Sequence, residues 1–195
     1  MSPRPGFTMA EVLVSLTILS MVGAGVASML TAVSQGTTAQ TATQRVTVKR
    51  RVLTSRVDAA LRSSCRVLAI GRDVVVLWTG DSRANGLPDL SELRRIEWRA
   101  GSGEMWMYAA RPDLDEKRDR TFTFDQNFET LTRIWRRSKY FPGQRWGRDI
   151  VAWEPSVDSG ALGDVRLVRY DITVRNDDGS EAIATRAVAL RGRVP

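Results

Sequence analysis

The chain opens on a long uncharged apolar run and then changes its hydrophobic period twice. From Val12 to Gln44 no residue is charged, and Val12 to Val33 is mostly Val, Leu, Ile, Met and Ala with Ser and Thr between them. About 20 residues of helix cross a bilayer core, so this run is long enough to span one. Gly23 and Gly25 each weaken a helix by about 1 kcal/mol relative to Ala, yet small residues also let helices approach closely in lipid. A mild bend and a packing face are both compatible with them. Past the polar Ser34–Gln44 stretch, where Gly36-Thr37-Thr38 is poor helix sequence, the pattern becomes amphipathic. Val46, Leu53, Val57, Ala60, Leu61, Cys65 and Leu68 recur at helical spacings, with Arg and Lys on much of the other face. That is a helix lying on a core. Continuous from Phe7 to about Leu68, it would measure roughly 90 Å at 1.5 Å per residue.

Beyond Leu68 the period falls to two. Arg66–Ile70 and Val74–Thr79 read as strands around Gly71-Arg72-Asp73, and a loop Gly80–Pro88 follows. Leu93–Arg99 alternates, turns at Gly101-Ser102-Gly103, and returns as Met105–Ala109, a hairpin signal. Val165–Val174 alternates, turns at Asn176-Asp177-Asp178-Gly179, and returns as Ala182–Leu190, a second hairpin. The expected class is therefore α+β, a long N-terminal helix packed on an antiparallel sheet domain.

Composition narrows the chemistry. There is no His among 195 residues, which removes imidazole acid–base catalysis and His-liganded metal sites. Cys65 is the sole cysteine, so no intrachain disulfide can form, and on the apolar helix face it reads as a small buried hydrophobe. Neither a phosphate-cradling Gly-rich loop nor a nucleophile elbow occurs. No enzyme activity and no cofactor are expected. Asp113, Asp115 and Glu116, and Asp177 with Asp178, have the oxygen chemistry of a calcium site, but as turn residues they are better read as solvated turn formers. The net charge is +7. Arg133, Arg136, Arg137, Lys139, Arg145 and Arg148 interleave with Trp135, Tyr140, Phe141 and Trp146, a pattern that can grip a single nucleic-acid strand. The plainer reading, preferred here, is an amphipathic helix near Leu131–Arg137 with aromatics inside and Arg outside. Nucleic acid is not an expected partner.

One acid stands at the mouth of the apolar run. Glu11 follows Arg4, the only side-chain charge before it. A carboxylate there is costly in a bilayer and marks a functional site by default; it is equally a first-turn acid favoured at a helix N-terminus. Position alone leaves both readings open. The longer string Arg4-Pro5-Gly6-Phe7-Thr8-Met9-Ala10-Glu11-Val12-Leu13-Val14-Ser15-Leu16 resembles the N-terminus of type IV pilins and type II secretion pseudopilins.

The resemblance implies a basic leader cut after Gly6 by a prepilin peptidase, and Phe7 as the N-methylated new N-terminus. It makes Glu11 the acid that sets register by pairing with a neighbouring subunit's α-amine, which is cationic at neutral pH. Pro5 departs from the Lys or Arg more usual there. A secretory signal peptide is the competitor, with Gly25-Val26-Ala27 as its cleavage site, although its apolar region is ordinarily about 7–15 residues. Basic residues do not orient the segment, because Arg45, Lys49, Arg50 and Arg51 lie downstream of it; the resemblance puts the N-terminus in the cytoplasm and the C-terminal domain in the periplasm.

The two hairpins behind a helical stem, and the run Asp89-Leu90-Ser91-Glu92-Leu93-Arg94-Arg95-Ile96-Glu97-Trp98, most resemble the J-type minor pseudopilins, with W-type minor pilins sharing much of this. The implied organisation is a leader over 1–6, a transmembrane or filament-core helix over 7–33, a stem helix over 34–68 and a β-rich periplasmic domain over 69–195. Expected partners are other minor and major pseudopilins, the prepilin peptidase and the inner membrane. A minor type IV pilin for adhesion, motility or DNA uptake is the alternative.

Overall fold

The computed structural model describes residues 8–176 and 178–192; of residues 32–45 it describes the backbone only. Helix α1 runs Met9–Arg62, and the chain divides into two compact units, Met1–Arg45 and Val46–Pro195.

In the first unit α1 is apolar on every side. Met9–Thr31 has a mean hydropathy of 2.0 and none of its residues is buried within the protein. Helices apolar all round belong inside large cores or membranes. Four hydroxyls in it bond back to the helix: Thr17 donates to the Leu13 carbonyl at 2.8 Å, Ser20 to Leu16 at 2.7 Å, Ser28 to Gly25 at 2.8 Å and Thr31 to Ala27 at 2.9 Å. Lipid offers no competing partner, so such back-bonding is what a hydrocarbon setting requires. Gly23, Gly25 and the poor helix sequence Gly36-Thr37-Thr38 all lie within continuous helix.

The second unit begins with the last turns of α1. Val46, Leu53, Val57 and Leu61 are buried as the periodicity predicts. The helix ends at Arg62 rather than near Leu68. Ser63 and Ser64 hydroxyls both donate to the Ala60 carbonyl, and Cys65 N–H donates to Trp78 O at 2.8 Å. These bonds divert the chain into a sheet, so Leu68 lies on a strand. Strands β1 (Arg66–Ile70), β2 (Val74–Trp78), β3 (Leu93–Arg99), β4 (Glu104–Ala109) and β5 (Gly143–Gly147) form one antiparallel sheet in that order. A second antiparallel sheet has the order β6 (Ile150–Val157), β7 (Leu167–Arg175), β8 (Glu181–Ala189). The α+β class holds, but with two sheets where one was expected.

Period-two alternation sorts side chains into two cores. Val75, Leu77, Ile96 and Met105 face Leu53, Val57 and Leu61 of α1 together with Trp153, Val168, Tyr170 and Ile172 of the second sheet. Val74, Val76, Trp78, Leu93 and Tyr108 point the other way, against Phe122, Phe128 and Phe141. Strand β2 is therefore buried on both faces along its whole length. The second core is roofed by helix α2, Phe128–Trp135, whose N-cap Asn127 accepts from Thr130 N at 2.9 Å.

Two polar locks join these layers. Arg95 and Glu97 are both nearly fully buried and pair at 2.7 Å. Arg95 also donates to Glu129 O and Thr132 Oγ1 of α2, both at 3.0 Å, while Arg136 pairs with the other Glu97 oxygen. Burial acts to raise the Glu97 pKa, but the hydrogen bonds and charges of Arg95 and Arg136 outweigh it and hold the carboxyl below its ordinary value. On the opposite side the Tyr170 hydroxyl donates to Asp58 and lies 3.2 Å from Thr54 O, tying β7 to α1. Burial first, then the Asp58 carboxylate, pushes this phenol far above its ordinary value, so it stays a donor.

Candidate functional site

Of the residues singled out by sequence, Glu11 lies in the first turn of α1. Gly6 and Phe7 fall outside the described residues. Glu11 is described, and it closes the first turn of the helix. Thr8 N–H donates to Glu11 Oε2 at 2.9 Å, Thr8 Oγ1 approaches the same oxygen at 3.0 Å, and Glu11 N–H donates back to Thr8 Oγ1 at 3.3 Å. Val12 N–H reaches Thr8 O at 3.2 Å, the first main-chain bond of the helix. This is a reciprocal capping box: a hydroxyl residue at the N-cap and Glu at N3 satisfy each other's amides.

The cap has a chemical consequence. Helix N-termini leave backbone donors unpaired, and within hydrocarbon such groups are costly. Thr8 and Glu11 satisfy two of them locally. Both Thr8 groups converge on one carboxylate oxygen, so the acid is held against the end of the helix that precedes the apolar run. Thr8, a partner of Glu11 not anticipated from the sequence, completes the box, and Thr8-Met9-Ala10-Glu11 carries its Thr-x-x-Glu signature.

The basic and aromatic residues after α2 do not converge on one face. Phe141 is fully buried, and Trp135 and Trp146 are half-buried against the two cores. Arg136 is engaged with Glu97, Arg145 with Glu104 at 2.8 Å, and Arg118 lies over Tyr140. Arg133 and Arg137 are exposed, and Lys139, also exposed, lies over the Tyr140 ring. Aromatics inside with Arg outside is the arrangement expected of an amphipathic cover, and the helix proper starts at Phe128, before the expected Leu131.

The acidic groups act locally. Asp115 accepts from Lys117 N at 3.2 Å, Glu116 pairs with Arg83 at 2.9 Å, and Asp178 accepts from Ser180 N at 2.9 Å; Asp177 lies outside the described residues. Among the described residues no group of three or more His, Cys, Asp or Glu could hold a metal ion. Cys65 is buried, and burial chiefly pushes its thiol above the ordinary value, the opposite of an activated nucleophile.

Residues 1–27 match the model of the prokaryotic N-terminal methylation motif. The N-terminus thus carries a prepilin-type motif of the type IV pilin and pseudopilin kind, borne by structural subunits rather than enzymes. Such a motif implies processing by a prepilin peptidase and assembly with other pilin-type subunits. No curated protein and no solved structure matches the chain.

Proposed function

We propose that this chain is a minor pseudopilin, a structural subunit that helps initiate or cap the short filament of a type II secretion system. The observation that carries the reading is the coincidence of the methylation motif over residues 1–27 with an apolar helix, Met9–Thr31, in which Glu11 is the one charged side chain. In this reading the peptidase cuts between Gly6 and Phe7, and Phe7 is N-methylated. The helix anchors the subunit once in the inner membrane, N-terminus cytoplasmic and sheet domain periplasmic.

Glu11 then has two partners in succession. In the lone subunit it is held by Thr8. In the filament it meets the α-amine of a neighbour's Phe7, a charged donor in an apolar bundle. Removing one member of such a buried pair typically costs about 3–5 kcal/mol, which is enough to select axial register. Glu11→Val should leave membrane insertion intact and abolish co-purification with partner subunits; a variant that still co-purifies normally refutes this role.

Two hairpins behind a helical stem support secretion over the runner-up, a minor type IV pilin for adhesion, motility or DNA uptake. Sequencing the mature N-terminus tests the processing. N-methylated Phe7 is expected, whereas Ser28 would make the segment an ordinary signal peptide. A deletion strain tests the filament: lost export with normal pili is expected, and lost pili with normal export assigns the chain to the pilus.

A further inference from the structure

Beyond Val46 the two most exposed large apolar side chains, among the described residues, are Ile134 at 67% and Ile183 at 65%. They stand on opposite sides of the sheet domain. Helix α2 roofs the core on one face of the first sheet, and the second sheet walls the core on the other face. The outer surfaces of α2 and of the second sheet therefore look away from each other.

Around Ile134 the surface is basic. Thr130, Arg133, Ile134 and Arg137 are the exposed positions of α2 and its closing turn. Residues three and four apart share one helix face, with Cβ atoms about 5–6 Å apart. Thr130 and Ile134 make one ridge, and Arg133 and Arg137 make the next. Neither guanidinium has an ion pair among the described residues.

Around Ile183 the surface is acidic. Strand register lays the outer face of the second sheet in rows: Ala152, Thr173 and Ile183 form one, and Glu154, Asp171 and Thr185 form the next. Glu154 and Asp171 face each other across β6 and β7, where Cβ atoms are about 4.5–5.5 Å apart and like charges repel. Glu154 is exposed and unpaired, and Arg169, one row further on, bonds to neither acid. Asp171 Oδ1 is buried without a hydrogen-bond partner among the described residues. A buried acceptor in that condition costs free energy until a donor reaches it.

We propose that α2 of one copy of the chain docks on the outer face of the second sheet of the next copy. The helix lies across the strands, with Thr130 and Ile134 on the Ala152–Thr173–Ile183 row and Arg133 and Arg137 on the Glu154–Asp171 row. The spacing of the two arginines matches that of the two acids, and a guanidinium supplies Asp171 Oδ1 with a charged donor. The charges on both sides are ones the fold leaves unopposed, so docking breaks no ion pair within either copy. Because the two patches differ and lie on opposite sides, the contact is heterologous and repeats head to tail, as in an open filament. One helix face on three strands is small beside the roughly 800 Å² per partner of a standard interface. It therefore acts between copies that their apolar helices already hold together. The contact requires assembly with pilin-type subunits, which the methylation motif implies, and is the same for a secretion filament and a pilus.

The test uses the full chain in membranes, with Cys65→Ser as background and a short bismaleimide cross-linker. Co-expressed Ile134→Cys and Ile183→Cys chains should cross-link at least about fivefold more than Ile183→Cys with Ser55→Cys, an exposed position on α1, which corresponds to about 1 kcal/mol of preference. Each variant alone should stay at that control level, and a chain carrying both should give a ladder of multimers. Arg133→Glu with Arg137→Glu on the Ile134→Cys chain should return the yield to the control. Glu154→Arg with Asp171→Arg on the other chain should then restore it. Should Asp171→Arg unfold the domain, as Trp fluorescence would show, Glu154→Arg alone at its exposed site should restore part of the yield. A mixed yield equal to the control, either variant alone cross-linking as well as the mixture, reversed charges that restore nothing, or cross-links only to a different protein would each overturn the proposal. Any of these found together with Phe7 at the mature N-terminus refutes the contact and leaves the subunit reading standing.

Discussion

Glu97→Gln isolates one buried charge. It removes the anion facing Arg95, Arg136 and Arg99 while keeping the side-chain shape and one acceptor oxygen. Arg99 and Arg136 side chains are 41% and 26% exposed and can turn to water; the Arg95 side chain, at 5%, cannot. Arg95 retains Glu129 O and Thr132 Oγ1 but loses the counter-charge of Glu97. Breaking a buried pair from one side costs about 3–5 kcal/mol, and the acceptor kept by Gln puts the expected loss at about 3 kcal/mol. For a unit of this size that lowers the melting temperature by about 10 °C. All six Trp residues lie beyond Val46, so their fluorescence reports the sheet domain and not the apolar helix. Glu181→Gln is the control, since its pair with Arg175 is largely exposed and should be worth less than about 1 kcal/mol.

The pH dependence gives a second readout. The Glu97 pKa is lowered in the fold from an ordinary 4.5. Its contribution is therefore complete above 4.5 and is lost as pH falls through the lower folded value. The gap between wild type and Glu97→Gln should be constant near neutrality and close in acid. A loss below about 0.5 kcal/mol, or identical slopes below pH 4.5, would refute the assignment of a stabilising buried charge.

Other variants probe the remaining joints. Tyr170→Phe deletes the hydroxyl that binds Asp58 and should cost about 1–2 kcal/mol in urea unfolding, leaving the carboxylate its pair with the exposed Arg62. Gly143→Ala would put a methyl 2.5 Å from Tyr108 Cε1 and should destabilise by about 1–3 kcal/mol through overpacking; an unchanged melting temperature would mean β5 shifts freely. Thr8→Val removes the cap from α1 and should raise amide exchange at Glu11 and Val12, for a loss of about 1 kcal/mol confined to the first turn. Unaltered exchange there would show that the box carries no weight.

What the sequence determined by itself is whatever depends on near neighbours. An uncharged run fixes a membrane-length helix because each turn is apolar without reference to anything distant. The alternation in Leu93–Arg99 and Leu167–Arg175 reveals strands because one face of each must be buried wherever the sheet lies, and the unbroken apolar run Val74–Trp78 reads as a strand buried on both faces. Thr8 and Glu11, three residues apart, are legible too, as the Thr-x-x-Glu signature of a capping box. The other half of the candidate site, Gly6 and Phe7, was legible only as a motif.

Tertiary structure alone decided the rest. Gly143-Gln144-Arg145-Trp146-Gly147 has no alternation and becomes a strand only because β4 offers it an edge. Strand β6 is broken in pattern by Pro155, which survives because that side of the strand needs no N–H. The split into two sheets follows from α1, whose buried side chains join them in a single core, and the Tyr170–Asp58 and Arg95–Glu97–Arg136 locks join residues far apart in the chain. Local periodicity reports which face is buried. It carries no information on what buries it, because partners are chosen by long-range packing that no neighbouring residue encodes.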